Sequence, residues 1–136
     1  MRLYEQSGII PFRIQNEKTE ILIITTINGK NWTIPKGLIE PQLSTAESAI
    51  QEGYEEAGIK GHLYPNSVGE YRYKKWQGVC RVQVFPFRVE KILRYWPEAS
   101  LRTRKWVLLE AIESYIKNKD LCSIIMKLPE HLEKSR

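Results

Sequence analysis

The chain has 136 residues, enough for one domain with a sizeable core. Its content of 42% hydrophobic and 27% charged residues is ordinary for a globular protein. Lys and Arg number 21 against 16 Asp and Glu, so the formal net charge is +5. No apolar run could span a membrane and the first residues lack a signal-peptide core, which argues against membrane and secreted classes. Cys80 and Cys122 lack metal-type spacing and are typical of buried thiols in a reducing cytoplasm, where we expect this protein.

Before residue 45 the sequence predicts strands separated by turns. The expected elements are a strand over residues 4–14 that is interrupted at Pro11, a buried β-branched strand over residues 20–26, a turn at Asn28-Gly29, a short strand over residues 32–34 and a loop at Pro35-Lys36-Gly37. Because Pro and Gly punctuate this loop, we expect it to have a defined shape.

A helix is predicted over residues 45–57. Ser44 and Glu47 have the spacing of a capping box, and Gly58 stands where a helix would end in a left-handed conformation. Small and apolar side chains at helical spacing form one face: Ala46, Ala49, Ile50, Gly53 and Ala57. Gly in mid-helix costs about 1 kcal/mol relative to Ala, so we expect a backbone to pack closely against Gly53.

Glu52, Glu55 and Glu56 fall within about one turn of this helix. Carboxylates this close repel one another, and each costs solvation free energy when it is buried. A bound cation would neutralise such a cluster. The alternative is an ordinary amphipathic helix with a solvated acidic face, which three glutamates alone would favour.

After residue 58 the sequence predicts strands and then helices. The expected strands cover residues 61–68, 70–75, 79–89 and 105–108, and the expected helices cover residues 109–116 and 121–127, with Pro129 marking the end. This order of elements predicts a mixed sheet with helices on its faces.

Charge is unevenly distributed along the chain. Residues 37–59 contain five Glu and no Lys or Arg, whereas residues 72–105 contain ten Lys or Arg and two Glu. An acidic metal site beside basic side chains suits a polyanionic substrate, because the metal takes part of the anion and the cations take the rest. A solvated basic surface is the alternative. Nucleic acid is not the expected partner, because Tyr71, Tyr73 and Trp76 are too few for a stacking platform.

Residues 32–59 resemble the Nudix box, Gly-x5-Glu-x7-Arg-Glu-U-x-Glu-Glu-x-Gly-U, where U is aliphatic. Its positions are matched by Gly37, Glu52, Glu55, Glu56, Gly58 and Ile59. Leu43 stands in place of the first Glu, Gln51 in place of the Arg, and Gly53 in place of an aliphatic residue. These departures bear on catalytic strength more than on the fold.

The resemblance implies an α+β fold, an α/β/α sandwich with a mixed sheet, as a single domain over residues 1–136. It also implies a hydrolase that cleaves a diphosphate linkage, X–O–P–O–P, with Mg²⁺ or Mn²⁺ as cofactor. Carried over by position, Glu52, Glu56 and the carbonyl of Lys36 would bind the metal, and Glu55 would activate water, with Glu52 as the second catalytic carboxylate. The division of roles among the three glutamates varies within the family.

Glu40-Pro41 and the segment Arg102-Thr103-Arg104-Lys105-Trp106 resemble the diphosphoinositol polyphosphate phosphohydrolases and the related diadenosine polyphosphate hydrolases. In that branch an Arg upstream of the Trp contacts substrate phosphates. The resemblance therefore implies that Arg102 and Arg104 bind substrate. The alternative role for these arginines is a surface salt bridge to Glu98 or Glu110.

The same resemblance implies further substrate-binding positions. Gln6, Ser7 and Gly8 would line the pocket from an N-terminal strand, with Ser7 binding substrate, and the side chain of Lys36 would reach a phosphate. Trp106 is expected in the core, whereas Trp32 could pack or stack.

The expected substrate is a polyphosphorylated small molecule: a dinucleoside polyphosphate, a nucleoside diphosphate derivative or a diphosphoinositol polyphosphate. Two alternatives stay open. One is a Nudix-fold module that binds a nucleotide or phosphorylated ligand without cutting it, which Leu43 and Gln51 favour. The other is RNA-end processing, which rests on net charge and the breadth of the family.

Overall fold

A computed structural model describes residues 1–135. Within them the strands are β1 (Arg2–Gln15), β2 (Lys18–Thr25), β3 (Trp32–Thr33), β4 (Lys36–Leu38), β5 (Ile59–Leu63), β6 (Gly69–Lys75), β7 (Gly78–Ile92) and β8 (Arg104–Leu108). The helices are α1 (Thr45–Glu52), which continues into a π-helical turn (Gly53–Ala57), a 3₁₀ helix (Leu109–Ser114), α2 (Lys119–Met126) and α3 (Leu128–Lys134). No helix in this part of the chain is long and apolar enough to cross a membrane.

The strands join one mixed sheet with β1 at its centre. The order is β3-β2-β1-β7-β5, with β4 on β1, β6 on β7 and β8 on β2. β1 and β7 pair in parallel, and the remaining strand pairs are antiparallel. The predicted mixed sheet is confirmed.

One edge of β1 changes its partner midway. Residues 6–8 pair with β4, and residues 12–15 pair with β2. In between, the N–H of Ile9 donates to the carbonyl of Pro35 at 3.1 Å. The sheet therefore splits along this edge, with β4 in the opening, and the candidate site lies beside the split.

The predicted interruption at Pro11 is wrong, since β1 runs through it. The nitrogen of Pro11 faces the same edge as the N–H of Ile9, because alternate residues of a strand present their N–H groups to the same side. No strand pairs with this edge at residues 10–11, so the missing N–H removes no ladder hydrogen bond.

Helices cover both faces of the sheet, which confirms the α/β/α sandwich. On one face, Ala49 of α1 and Ala57 of the π-helical turn pack in a buried cluster with Ile9. On the other face, the 3₁₀ helix and α2 pack in a larger cluster that contains Ile10. Ile9 and Ile10 belong to different clusters because successive strand side chains point to opposite faces.

Several boundaries differ from the prediction. Lys36–Leu38, expected as a loop, forms β4 because the split leaves it an edge of β1 to pair with. The strand expected over residues 61–68 is β5 at Ile59–Leu63. Pro129 does not end the last helix but lies in the first turn of α3, where its missing N–H is not needed.

Candidate active site

The acidic helix is fixed at its start and along its buried face. Its predicted capping box is confirmed: the backbone N–H of Glu47 donates to the Ser44 hydroxyl at 3.0 Å, and that of Ser44 donates to the Glu47 carboxylate at 2.9 Å. A side chain rather than a backbone packs against Gly53, where a Cβ would meet Cδ1 of Ile9 at 2.6 Å. The helix then widens into a π-helical turn, a geometry that often marks functional sites.

Glu52, which is half-buried, and Glu56, which is buried, form a carboxylate pair at this turn. Glu56 is 8% exposed, and burial raises its pKa although Arg102 and Lys36 oppose the rise. Burial, followed by the charges of Glu56 and Glu55, raises the pKa of Glu52 to about 8. Gly37 lies directly against this pair, because a Cβ there would overlap the Glu52 carboxylate.

The backbone of Lys36 faces the same carboxylates. Lys36 is opposite Gly8, and the hydrogen bond from Ile9 N–H to Pro35 C=O makes this a non-hydrogen-bonded pair of the ladder. Both the N–H and the C=O of Lys36 therefore point away from β1. The N–H donates to Oε1 of Glu56 at 3.1 Å, and the carbonyl is directed to the same side.

Arg102 joins two carboxylates of the site. Its guanidinium lies 3.2 Å from Oε2 of Glu56, donates to Oε1 of Glu98 at 2.8 Å, and donates to the carbonyl of Thr25 at 2.9 Å. The Arg102 side chain is only 9% exposed, so these are charge-assisted contacts away from bulk water. The salt bridge to Glu98 given above as an alternative is present, and Arg102 makes a second, more buried salt bridge to Glu56.

Glu55 has a different environment. Its carboxylate accepts a hydrogen bond from the Gln51 amide at 2.9 Å, and it does not line the cavity into which Glu52 and Glu56 face. The Gln that replaces the motif's Arg thus contacts the carboxylate predicted to activate water.

Loop residues 93–104 cap the end of the acidic helix. The last carbonyl groups of a helix have no partner within it, and here four consecutive ones accept hydrogen bonds from this loop. The pairs are Glu98 N–H to Glu55 at 3.0 Å, Trp96 indole N–H to Glu56 at 3.2 Å, Arg104 guanidinium to Ala57 at 2.8 Å and Leu93 N–H to Gly58 at 2.7 Å.

Arg104 belongs to this cap. Its guanidinium lies 3.8 Å from the ring centroid of Trp96 and also donates to the carbonyl of Leu93 at 2.7 Å. Burial lowers its pKa. It is absent from the lining of the cavity, and its guanidinium is committed to main-chain carbonyls instead of a substrate phosphate.

A cavity of about 660 Å³ opens in front of Glu52 and Glu56, within the range of about 300–1,000 Å³ typical of ligand pockets. Of the predicted site residues it brings together Glu52, Glu56, Lys36 and Arg102. Sequence reasoning gave Glu98 no site role, although its position four residues before Arg102 was a signal of their pairing.

The N-terminal strand contributes Gln6, whose amide oxygen accepts from the Tyr73 hydroxyl at 2.8 Å, and this pair lines the cavity. Ser7 points to the opposite face of β1, is fully buried, and its hydroxyl has no hydrogen-bond partner in residues 1–135. Of the ten basic residues in the 72–105 stretch, Lys75 and Arg102 are those that line the cavity.

The donor set fits Mg²⁺ or Mn²⁺ better than a cation that needs a full protein cage. Within residues 1–135, no three His, Cys, Asp or Glu side chains converge on one point. The two carboxylates and the outward carbonyl of Lys36 supply oxygen ligands, and Mg²⁺ is usually held by one or two carboxylates, waters and substrate phosphates. Burial and the charges of Glu56 and Glu55 raise the pKa of Glu52, and the charge of a bound cation would oppose this rise.

Trp106 and Trp32 both pack against other side chains. Trp106 lies beside the cluster under α1 with the Arg13 guanidinium 4.0 Å from its ring centroid. Trp32 packs edge-on against Tyr115, with ring centroids 6.4 Å apart, and does not line the cavity.

Sequence and structure comparisons agree on one family. A family model described as the NUDIX domain matches residues 6–124. Nudix hydrolase 16, mitochondrial, of Arabidopsis thaliana is 32% identical over 127 residues, covering 79% of this chain and 70% of that protein. Six other A. thaliana Nudix hydrolases match with 57–64% of their length covered, so the chain spans less than two thirds of most of these relatives.

Two further matches fall in the predicted branch. Diphosphoinositol polyphosphate phosphohydrolase 3-alpha of Mus musculus is 28% identical over 108 residues, covering 78% of this chain and 65% of that protein. The crystal structure of a C. elegans Ap4A hydrolase binary complex has a TM-score of 0.77 at 20% identity, with 96% of this chain and 98% of that chain covered. With its box residues, its sandwich fold and a family model that matches most of its length, this chain belongs to the Nudix hydrolase family.

Proposed function

We propose that residues 1–136 form one Nudix domain that hydrolyses a diphosphate linkage in a polyphosphorylated small molecule with Mg²⁺ or Mn²⁺. The observation that carries this proposal is the Glu52–Glu56 pair at the wall of a ligand-sized cavity, with the Lys36 main chain directed at it. Arg102 and the Lys36 N–H compensate Glu56, but the side chain of Glu52 makes no salt bridge within residues 1–135, and two adjacent carboxylates removed from water favour a bound cation.

The roles of the residues follow from their positions. When bound, the divalent cation would neutralise charge that develops on the phosphate oxygens. Glu52, Glu56 and the Lys36 carbonyl would hold it, while the Lys36 ammonium and Arg102 would bind the non-bridging oxygens. Water would attack one phosphorus, the bridging P–O bond would break, and a carboxylate would take the proton from the water.

Glu55 remains our proposed base, with Glu98 as the competing carboxylate. Glu55 has the motif position, but its carboxylate accepts from Gln51 outside the cavity lining. Glu98 lines the cavity, but it is paired with Arg102. A base must come within hydrogen-bond reach of the water in the substrate complex, so the two variants Glu55→Gln and Glu98→Gln should be compared.

The test is phosphate release with Mg²⁺ or Mn²⁺ from dinucleoside polyphosphates, nucleoside diphosphate derivatives and diphosphoinositol polyphosphates. We expect turnover of at least one class and its loss on chelation with EDTA. Glu52→Gln and Glu56→Gln should each lower kcat by about 100-fold or more, since each removes a charged ligand. Arg81→Gln, at an exposed surface ion pair, is the control. Activity that survives both glutamate variants contradicts the site.

A binding module without catalysis is the second candidate. Leu43 and Gln51 favour it, as does the Gln51 contact that occupies Glu55. Tight binding of a panel member that the protein never cleaves would decide for this candidate. The cytoplasm remains our proposed compartment, based on the free buried thiols Cys80 and Cys122.

A further inference from the structure

The cavity has a second wall, of which the proposed chemistry uses only Lys36. Gln6 pairs with Leu38, while Tyr4 and Tyr73 both pair with Cys80, so their side chains share one face of the sheet. The helices that cover this face elsewhere leave its end open at the cavity. The lining residues on this side are Gln6, Lys36, Leu38, Tyr73, Lys75 and Trp76.

Trp76 holds an unusual backbone position on this wall. It and Gln77 form the two-residue turn between β6 and β7, with φ of 54° and 57°. This left-handed region favours Gly, Asn and Asp, and it is costly for a bulky residue such as Trp. The corresponding turn between β1 and β2 has the same backbone conformation, with Asn16 at φ 51° and Glu17 at φ 64°. The two positive φ values define a tight hairpin turn, and this turn holds the Trp76 side chain at the cavity.

The neighbouring residues support the indole while leaving it accessible. Trp76 is 47% exposed, and its ring lies edge-on to Tyr4 with centroids 5.1 Å apart. Nζ of Lys75 is 4.5 Å from the Trp76 ring centroid. At Gly78 a Cβ would overlap the Arg2 carbonyl oxygen and meet the Tyr4 ring at 2.9 Å, so glycine there allows both the β1 backbone and Tyr4 to lie against the turn. An exposed, buttressed indole beside a lysine suits a flat ring that carries phosphate.

The charges of the cavity argue against a substrate crowded with phosphates. Four carboxylates line it, at Glu40, Glu52, Glu56 and Glu98, against three cations. Arg102 is already paired with two of those carboxylates. Within residues 1–135, Lys36 and Lys75 are the lining cations that make no salt bridge. Even with the proposed divalent cation and Arg102, two unpaired lysines suit a short phosphate chain better than an inositol ring with a phosphate on most carbons.

We propose that Trp76 is a specificity-determining residue that stacks on the base of a nucleoside polyphosphate, while Lys75 and Lys36 contact its phosphate chain. This inference rests on the proposed function for the position of the phosphates. A stacking site for a base favours nucleotide-type substrates over diphosphoinositol polyphosphates.

The test uses two ligands that differ by adenosine and resist hydrolysis: α,β-methylene-ADP and methylenediphosphonate. Their affinities are measured by calorimetry with Mg²⁺ present. The wild type should bind α,β-methylene-ADP about fivefold more tightly or better. Trp76→Ala should lower that preference by about fivefold or more and leave methylenediphosphonate affinity unchanged, while Trp76→Phe should retain most of it.

Tyr95→Ala is the matched control, because Tyr95 is 78% exposed and does not line the cavity. It should leave both affinities unchanged, and circular dichroism should show native folds for all variants. Equal binding of the two ligands, binding of neither at millimolar concentration, or an equal loss of both in Trp76→Ala and Trp76→Phe would overturn the proposal. If the preference and its loss appear but no substrate is cleaved, base recognition stands and hydrolysis fails. If substrates are cleaved without a Trp76-dependent preference, the proposed hydrolysis stands and base recognition by Trp76 fails.

Discussion

The cavity has an acidic wall, which carries Glu52 and Glu56, and an aromatic wall, which carries Tyr73 and Trp76, and the two are built in opposite ways. On the acidic wall, four consecutive carbonyl groups at residues 55–58 accept hydrogen bonds from the 93–104 loop, and Arg102 holds Glu56. On the aromatic wall, Trp76 stands on a two-residue turn and nearly half of its surface is exposed. Groups that cleave a bond need fixed geometry, whereas a surface that selects a ligand has to be accessible. The difference therefore assigns chemistry to the first wall and recognition to the second.

Replacing Arg104, which caps the acidic helix, should have the largest effect on stability, because it releases the acidic wall. Arg104→Leu deletes hydrogen bonds to main-chain carbonyls and the contact with Trp96, so we expect the free energy of unfolding to fall by about 2 kcal/mol. We also expect kcat to fall more than KM changes, because the turn that carries Glu56 is released. Urea denaturation and steady-state kinetics measure the two effects.

Arg94→Leu is the control for this cap, because Arg94 is exposed and contacts the ring of Tyr95. It should leave stability and kcat unchanged. Should Arg104→Leu instead keep full stability and raise only KM, Arg104 would be the substrate contact that the motif implied.

A smaller change at Gly37 should disturb only the Glu52 carboxylate. In Gly37→Ala the new Cβ overlaps this carboxylate, which has to move. We expect the Mg²⁺ concentration for half-maximal turnover to rise about tenfold, as for other changes that reorient a ligand. Gly69→Ala is the matched control, since a Cβ there meets Ile124 at an ordinary 3.5 Å. Unchanged Mg²⁺ dependence in Gly37→Ala would mean that Glu52 does not bind the metal.

The smallest effect concerns pH and the charge of Glu52. Its pKa is raised from 4.5 to about 8 by burial and by Glu56 and Glu55, so between these values the folded state keeps a proton that the unfolded state releases. Stability of the metal-free protein should therefore fall as pH rises through this window. Glu52→Gln removes the contribution of Glu52 to this dependence, while that of Glu56 remains. The Tm of the variant should therefore fall less than that of the wild type as the pH rises from 4.5 to 8.

Thermal unfolding in EDTA measures this difference, and Mg²⁺ supplies the control. Because the metal binds the deprotonated carboxylate, added Mg²⁺ should raise the wild-type Tm more near pH 8 than near pH 4.5. If the Tm of the variant and that of the wild type vary with pH in parallel, the pKa of Glu52 is not the one that is raised.

The sequence predicted the parts of the molecule that depend on local spacing. Glu52 and Glu56 lie four residues apart on a helix that Ser44 caps, and Gly58 ends it with φ 65°. The Gly37 position of the motif also proved specific, because only glycine leaves room for the carboxylate.

Features that depend on distant contacts escaped sequence reasoning. Arg102 and Arg104 share one motif, yet one faces the cavity and the other caps a helix, because the path of the 93–104 loop decides between them. Pro11 was expected to interrupt a strand, and only the split edge of β1 explains why it does not.

The split of β1 also makes part of the site independent of side-chain identity. Lys36 has its N–H and C=O turned outward because β4 pairs with β1 in this register, and the N–H holds Glu56. Any residue at position 36 other than proline would present the same two groups. Mutational drift there can change what the side chain recognises while the main-chain contribution persists, so substrate choice can evolve without rebuilding the centre.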